Sequence, residues 1–106
     1  MQTEKKTDNL HQLSVFYKAL AHPVRLAIVE RLSVGNACTC NDFVRILPFA
    51  QATISEHLRK LKLAGLITVS EKGNSSEYCL NKQGFRQLAK LQNGKKVLEW
   101  CNEINN

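Results

Sequence analysis

Apolar side chains recur at intervals of three and four residues along most of the chain. Side chains with this spacing share one face of a helix, so each such segment predicts an amphipathic helix. The predicted helices are residues 8–21, 23–33, 39–47, 51–65 and 82–104. Residues 66–70 and 77–80 are rich in β-branched and aromatic side chains, which favours two short strands, and the Gly, Asn and Ser residues of 71–76 predict the turn between them.

Capping residues and helix breakers set the expected boundaries. Residues 1–7 are polar and expected to be disordered, and Asp8 or Asn9 can cap the first helix. Pro23 suits the first turn of the second helix, and Gly35 suits its end.

The later helices have cap candidates of unequal quality. Thr39 or Asn41 can cap the third helix and Asn81 the last. Ala50 precedes the fourth helix and is a poor cap, so the start of that helix is expected to depend on tertiary contacts or on a phosphate.

The second helix is expected to be central to the core, with four apolar residues buried on more than one side: Leu26, Ile28, Val29 and Leu32. The first and last helices carry more apolar surface than so small a domain needs, and Gly94 can mark a kink in the last one. Pairing of residues 8–21 and 82–104 with a second copy would bury that surface, so a symmetric homodimer is expected.

The segment from Gln51 to Gly65 has two different faces. Ile54, Leu58 and Leu61 form one buried stripe. The flanks and the far side carry amides, hydroxyls and cations, namely Gln51, Thr53, Ser55, His57, Arg59, Lys60 and Lys62. Such groups can bond base edges and phosphates, so residues 39–64 are interpreted as a helix-turn-helix and residues 66–80 as its wing.

Composition agrees with a nucleic-acid partner. The chain has 106 residues, enough for one domain, with a formal charge of +6. A basic balance favours a polyanionic partner. There is no apolar run of membrane-spanning length and no signal-like N-terminus, so a cytoplasmic protein without membrane contact is expected.

Three sequence runs carry a family resemblance: LAHPVRLAIVERL, DFVRILPFAQATISEHLRKLKLAGLI and SSEYCLN. Their motifs H-P-x-R-L, T-I-S-x-H-L and A-G-L-I resemble those of the winged helix-turn-helix repressors of the ArsR/SmtB family. The fold class implied is mainly α with a small β-hairpin wing. Members of that family are dimers that bind double-stranded operator DNA and repress transcription, often until an inducer releases them, so the same is expected here.

The resemblance also assigns residues to the DNA interface. It places the recognition residues in the major groove or against its phosphates: Gln51, Thr53, Ser55, His57, Arg59 and Lys60. It makes the wing-tip residues candidates for the minor groove or backbone: Lys72, Asn74, Ser75 and Ser76. Two of these assignments have open alternatives: His57 can instead be a packing residue, and the wing tip can be a solvated turn. Arg25 is expected to serve the fold rather than to contact a phosphate.

The cysteines raise the question of whether the protein binds a metal or metalloid ion. Cys38 and Cys40 could together bind a soft ion such as arsenite. Relatives that sense such ions carry C-V-C-D-L here, but a gapless alignment puts Thr39 and Asn41 at the ligand positions. Two small buried thiols are therefore preferred to a metal site. Cys101 could pair with Cys38, and Cys79 is expected to pack in its strand.

The sequence gives less support to other classes of function. No catalytic arrangement and no cofactor motif is present, so an enzyme is not expected. The alternatives are a winged-helix module that binds another protein, and a metalloid- or redox-responsive repressor that uses Cys38, Cys40 or Cys101.

Overall fold

The structure is a computed structural model that describes the backbone of residues 2–93 and the side chains of residues 8–93. The elements follow in the order α1 (Gln2–Leu20), α2 (Pro23–Ser33), β1 (Cys38–Thr39), α3 (Cys40–Ile46), α4 (Gln51–Leu63), β2 (Ile67–Lys72), β3 (Ser75–Leu80) and α5 (Lys82–Leu91). The predicted fold class, mainly helical with a β-hairpin wing, is confirmed.

The first and last helices differ from their predicted bounds. Helix α1 begins at Gln2, so neither Asp8 nor Asn9 is its cap, and residues 2–7, expected to be disordered, are helical. The segment contains Gln, Glu and Lys, which favour helix, and lacks Gly and Pro. Helix α5 ends at Leu91, with Gln92 as its C-cap, short of the predicted end at about residue 104. Residues 94–104, with the predicted kink at Gly94, lie outside the described residues.

Helix α2 starts and ends where predicted, but one of its apolar residues faces solvent. The side chain of His22 caps it by accepting the Val24 N–H at 3.1 Å. Ile28 and Leu32 are buried, whereas Leu26 is 52% exposed, so its predicted burial is wrong. Leu26 lies two residues beyond Val24, about 200° around the helix, and therefore on the opposite face.

Helix α3 begins at a capping box. The Thr39 hydroxyl accepts the Asp42 N–H at 3.2 Å, and the Asp42 carboxylate accepts the Thr39 N–H at 2.8 Å. Thr39 rather than Asn41 is therefore the cap. The short strand β1, which was not predicted, pairs antiparallel with β3 through Cys38 and Tyr78 and through Thr39 and Glu77.

The two strands of the wing are longer than predicted, and the turn between them is shorter. Strand β3 lies between β1 and β2, and the β2–β3 pairing extends from Ile67 with Leu80 to Lys72 with Ser75. Only Gly73 and Asn74 remain in the loop. Gly73 has a φ of +61° and Asn74 a negative one, the combination that a type II′ hairpin turn requires.

The core lies where α4 crosses the other helices. Ile54, Leu58 and Leu61 are each 0% exposed, which confirms the predicted buried stripe. Their apolar neighbours come from every helix and from the start of the wing: Phe16, Ile28, Phe43, Leu66, Ile67 and Leu88. The opposite face of α4 is therefore held in a fixed direction.

The wing and α5 are tied to the end of α4 at one junction. The backbone N–H of Asn81 donates to Leu66 O and its side-chain Nδ2 donates to Gly65 O, both at 2.9 Å. Asn81 precedes α5 as predicted, but its side chain makes no capping bond to that helix. Buried Gly84 packs so closely on Gly65 that a Cβ at this position would meet the Gly65 carbonyl oxygen.

Candidate nucleic-acid interface

Three polar side chains of α4 project into solvent opposite the buried stripe. Gln51, Thr53 and Ser55 are all exposed. Among the described residues, the side chains of Gln51 and Thr53 have no hydrogen-bond partner, so their donors and acceptors are free for an external molecule. An amide and a hydroxyl on a helix that the core holds firmly can bond base edges in a major groove.

The start of α4 is also open. Ala50 occupies the N-cap position and provides no side-chain bond, as expected from its chemistry. The first N–H groups of a helix have no acceptor within the helix, and the helix dipole places partial positive charge there. This end of α4 therefore suits a phosphate group.

A polar cleft of about 250 Å³ connects the start of α4 with the wing tip. Gln51 lines it from α4, Asn74 and Ser75 from the wing, and Asn41 from α3. The structure thus brings together residues from both predicted parts of the interface. Asn41 was not predicted to belong to this interface, and its place here follows from the packing of α3 beside α4.

The cations of the predicted interface differ in their surroundings. Arg59 is paired with Glu56 through its Nε at 2.8 Å and its Nη2 at 2.6 Å. This bond lowers the pKa of Glu56 and raises that of Arg59. Lys72 Nζ lies 3.7 Å from a Glu77 carboxylate oxygen, and Lys60 is exposed. Arg59 and Lys72 are therefore each paired with a carboxylate in this structure.

His57 faces inward rather than toward the exposed surface. Its ring is partly buried and lies against the His22 ring, with centroids 4.4 Å apart. Its Nδ1 is 3.3 Å from Arg25 Nη1. Burial, with the nearby His22 and Arg25, lowers the pKa of His57. This geometry favours the packing alternative over a direct base contact.

Arg25 serves the fold, as expected. It is 8% exposed, and its Nε donates to Ala19 O at 2.6 Å while its Nη2 lies 3.4 Å from Lys18 O. These carbonyls belong to the last turn of α1, whose final C=O groups lack partners within the helix. Arg25 therefore caps α1 from the first turn of α2.

The cysteines have three different environments. Cys38 is buried, and burial raises its thiol pKa. Cys40 was expected to be buried but is only partly so, because it faces α4, where its Sγ lies 3.5 Å from Ser55 Oγ. Cys79 is exposed, so the expectation that it packs is wrong: it follows the half-buried Tyr78 and points to the other face of the strand.

The described residues contain neither a cluster of metal ligands nor a membrane-spanning helix. Residues 8–93 hold no cluster of three or more His, Cys, Asp or Glu side chains arranged for a metal ion. Cys101 lies outside these residues. No helix of the described chain combines the length and the apolar character that crossing a membrane requires.

Comparison with known proteins defines the class. Residues 20–70 match a family model described as a helix-turn-helix domain. The solution structure of a homodimeric winged helix-turn-helix DNA-binding domain from Mycobacterium bovis aligns with a TM-score of 0.70 and 27% identity, covering 82% of this chain and 81% of that one. The protein is thus a winged helix-turn-helix protein.

Curated relatives define the family. An arsenical resistance operon repressor of Bacillus subtilis (strain 168) is 38% identical over 86 residues, which is 80% of this chain and 81% of the relative. Another, from Staphylococcus xylosus, is 39% identical over 70 residues, and the match spans 66% of either chain. The chain belongs to the ArsR/SmtB family of winged helix-turn-helix transcriptional repressors, a family of DNA-binding regulators rather than enzymes.

Proposed function

We propose that this protein is a homodimeric repressor that binds an inverted-repeat operator in the cytoplasm and catalyses no reaction. The single observation that carries the proposal is the arrangement of α4. Its apolar stripe is wholly buried, while Gln51, Thr53 and Ser55 stand exposed beside a polar wing tip. A helix held rigidly by its core face and free on its polar face is what major-groove reading requires.

Each part of the surface has a role in this proposal. Gln51 offers an amide that can pair with adenine through two bonds, and Ser55 can bond either a base or a phosphate. Lys60, Arg59 and Lys72 would neutralise backbone phosphates, while Asn74 and Ser75 would contact the adjacent minor groove or backbone. His57 is assigned to positioning the helix rather than to reading bases.

Dimer formation is assigned to the first and last helices. Helix α1 packs beside α5, and Tyr17 Oη donates to Gln92 Oε1 at 3.0 Å. Tyr17 is nevertheless 47% exposed, so apolar surface remains on this side of α1. The similar domain from Mycobacterium bovis is homodimeric, which supports a homodimer here. Two α4 helices related by a two-fold axis would read half-sites about 10 base pairs apart, or a multiple of that.

Selection of bound duplexes from a random pool tests the proposal. An imperfect inverted repeat is the expected result, and its affinity should fall steeply with salt because phosphate contacts release counterions. Gln51→Ala should relax the selected sequence, whereas Lys60→Ala should weaken binding to all duplexes alike. Recovery of no common sequence, or an unchanged preference in Gln51→Ala, would contradict the proposal.

A thiol-responsive repressor is a second candidate, because Cys40 touches the recognition helix. Its Sγ lies 3.5 Å from Ser55 Oγ and 3.9 Å from the Gln51 carbonyl oxygen. A soft metalloid bound to this thiol, or oxidation of the thiol by peroxide to a sulfenic acid with release of water, would displace both groups from their places. Arsenite or peroxide should then release DNA from the wild-type protein and from Cys79→Ser but not from Cys40→Ser. Equal release from all three proteins would exclude Cys40 as the responsive thiol.

A further inference from the structure

The recognition helix is attached to the domain by a polar contact as well as by its apolar stripe. Arg25 lies at the centre of this contact, and its guanidinium reaches two elements at once. It donates to Ala19 O at 2.6 Å at the end of α1, and its Nη1 is 3.3 Å from His57 Nδ1 on α4. With only 8% of its surface exposed, Arg25 is held in this position by its surroundings.

The contact defines where the proton of His57 must be. A guanidinium has donors only, so His57 Nδ1 has to accept the bond and the imidazole carries its proton on Nε2. The neighbouring His22 is restricted in the same way, because its Nδ1 accepts the Val24 N–H at 3.1 Å. Both rings are therefore placed with an unprotonated Nδ1 facing a fixed donor.

A proton on His57 would meet mostly positive neighbours. Arg25 of α2 lies at hydrogen-bond distance, and the His22 ring just before α2 is 4.4 Å away. Lys60 of α4 is a second permanent cation that acts on His57. Lys18 of α1 lines, with Arg25 and Lys60, the cleft between α1 and α4.

One acidic group opposes these charges. Glu56 is the only acid in the described chain that acts on His57, and both of its oxygens are already bonded to Arg59. Protonation of His57 would thus replace an accepted hydrogen bond by a contact between two cations. The partly buried ring has little water to separate them.

We infer that Arg25 and His57 form a positioning pair for the recognition helix, and that the pair holds α4 in its DNA-reading orientation only while His57 is neutral. The inference rests on the proposed function. His57 lies on the same helix as Ser55, two residues further along the chain, so repulsion between Arg25 and a protonated His57 would push this turn of α4 outward against its core packing and move its reading residues. Acid would then weaken sequence preference, although an added positive charge by itself strengthens attraction to DNA.

The test compares His57→Asn with His22→Asn. The Oδ1 atom of Asn takes the place of His Nδ1 and accepts the bond from Arg25 without titrating, and Asn at position 22 keeps a capping oxygen. Affinities are measured for the selected duplex and for a scrambled duplex at about pH 7.5 and about pH 5, on either side of the range in which histidine titrates. The ratio of the two affinities reports sequence preference and cancels non-specific attraction.

The wild-type protein and His22→Asn should each lose preference by about tenfold on acidification, the size expected for one hydrogen bond to a charged group. His57→Asn should retain its preference at both pH values. A pH-independent preference in the wild type would overturn the inference, as would a loss that persists in His57→Asn. Failure to select any duplex would instead overturn the proposed function.

A spectrum of the free protein tests the geometry without DNA. Long-range ¹⁵N–¹H correlations of the imidazoles should show the Nε2–H tautomer of His57 at neutral pH, with a titration midpoint below the ordinary value of 6.5. An Nδ1–H tautomer, or a midpoint at or above that value, would mean that Arg25 does not bond to His57. Because this measurement uses the wild-type chain, it remains decisive if a variant folds poorly.

Discussion

Replacing Gly84 by Ala tests the junction that connects α4, the wing and α5. In the folded protein a Cβ at position 84 would fall on the carbonyl oxygen of Gly65 and lie 3.1 Å from its carbonyl carbon. Gly65 has little freedom to withdraw, because its oxygen accepts the Asn81 Nδ2–H at 2.9 Å and its own N–H donates to Lys62 O at 3.0 Å. The added methyl group must therefore push α5 away.

Three contributions determine the size of the effect. Overpacking against backbone destabilises by about 1–3 kcal/mol, and here the upper half of that range applies because the opposing atoms are main chain. Disturbing the Asn81 bond adds about 1 kcal/mol. Ala is a better helix former than Gly by about 1 kcal/mol, which offsets part of this. The net loss is about 2–3 kcal/mol, or roughly 10–20 °C in melting temperature for a domain of this size.

Thermal unfolding followed by circular dichroism, with all proteins at one concentration, measures this loss. Gln87→Ala is the matched control, since Gln87 is exposed on the same helix. We expect the control to melt within a few degrees of the wild type and Gly84→Ala well below it. A Gly84→Ala protein as stable as the control would refute the close packing of α5 on Gly65.

Two further predictions concern α3 and the thiols. Thr39→Ala removes a capping box and should lower the free energy of unfolding by about 1 kcal/mol in urea titrations; an unchanged midpoint would mean that the cap does not form in solution. Among Cys38, Cys40 and Cys79, peptide mapping after brief treatment with iodoacetamide should find Cys79 modified first and Cys38 last, because Cys38 is buried and its thiol pKa is raised. Early modification of Cys38 would show that β1 opens readily.

Much of the fold could be predicted because its causes are local. The stripe of Ile54, Leu58 and Leu61 repeats at helical spacing, and the Thr39 cap depends on a residue three positions away. Strand β1 could not be predicted, since two residues carry no periodicity and their extended form depends on pairing with β3. The exposure of Leu26 could not be predicted either, because it depends on which face of α2 the other helices cover.

At the candidate site, too, features with local causes could be predicted from the sequence, whereas contacts between distant residues could not. That Gln51, Thr53 and Ser55 are exposed follows from the stripe opposite them. The inward direction of His57 depends on Arg25, which is 32 positions away along the chain, so sequence spacing left both of its alternatives open. The nearness of Cys40 to Ser55 also arises only from the packing of α3 on α4.

The most direct test of the central claim, that α4 and the wing tip read DNA, is a titration of the ¹⁵N-labelled protein with the selected duplex. Backbone amide shifts are compared residue by residue before and after binding. The largest changes should fall in residues 51–60 and 72–76, and Leu26 and Glu30 on the exposed face of α2 should change little. Largest changes on α2, with those two segments unaffected, would contradict the account.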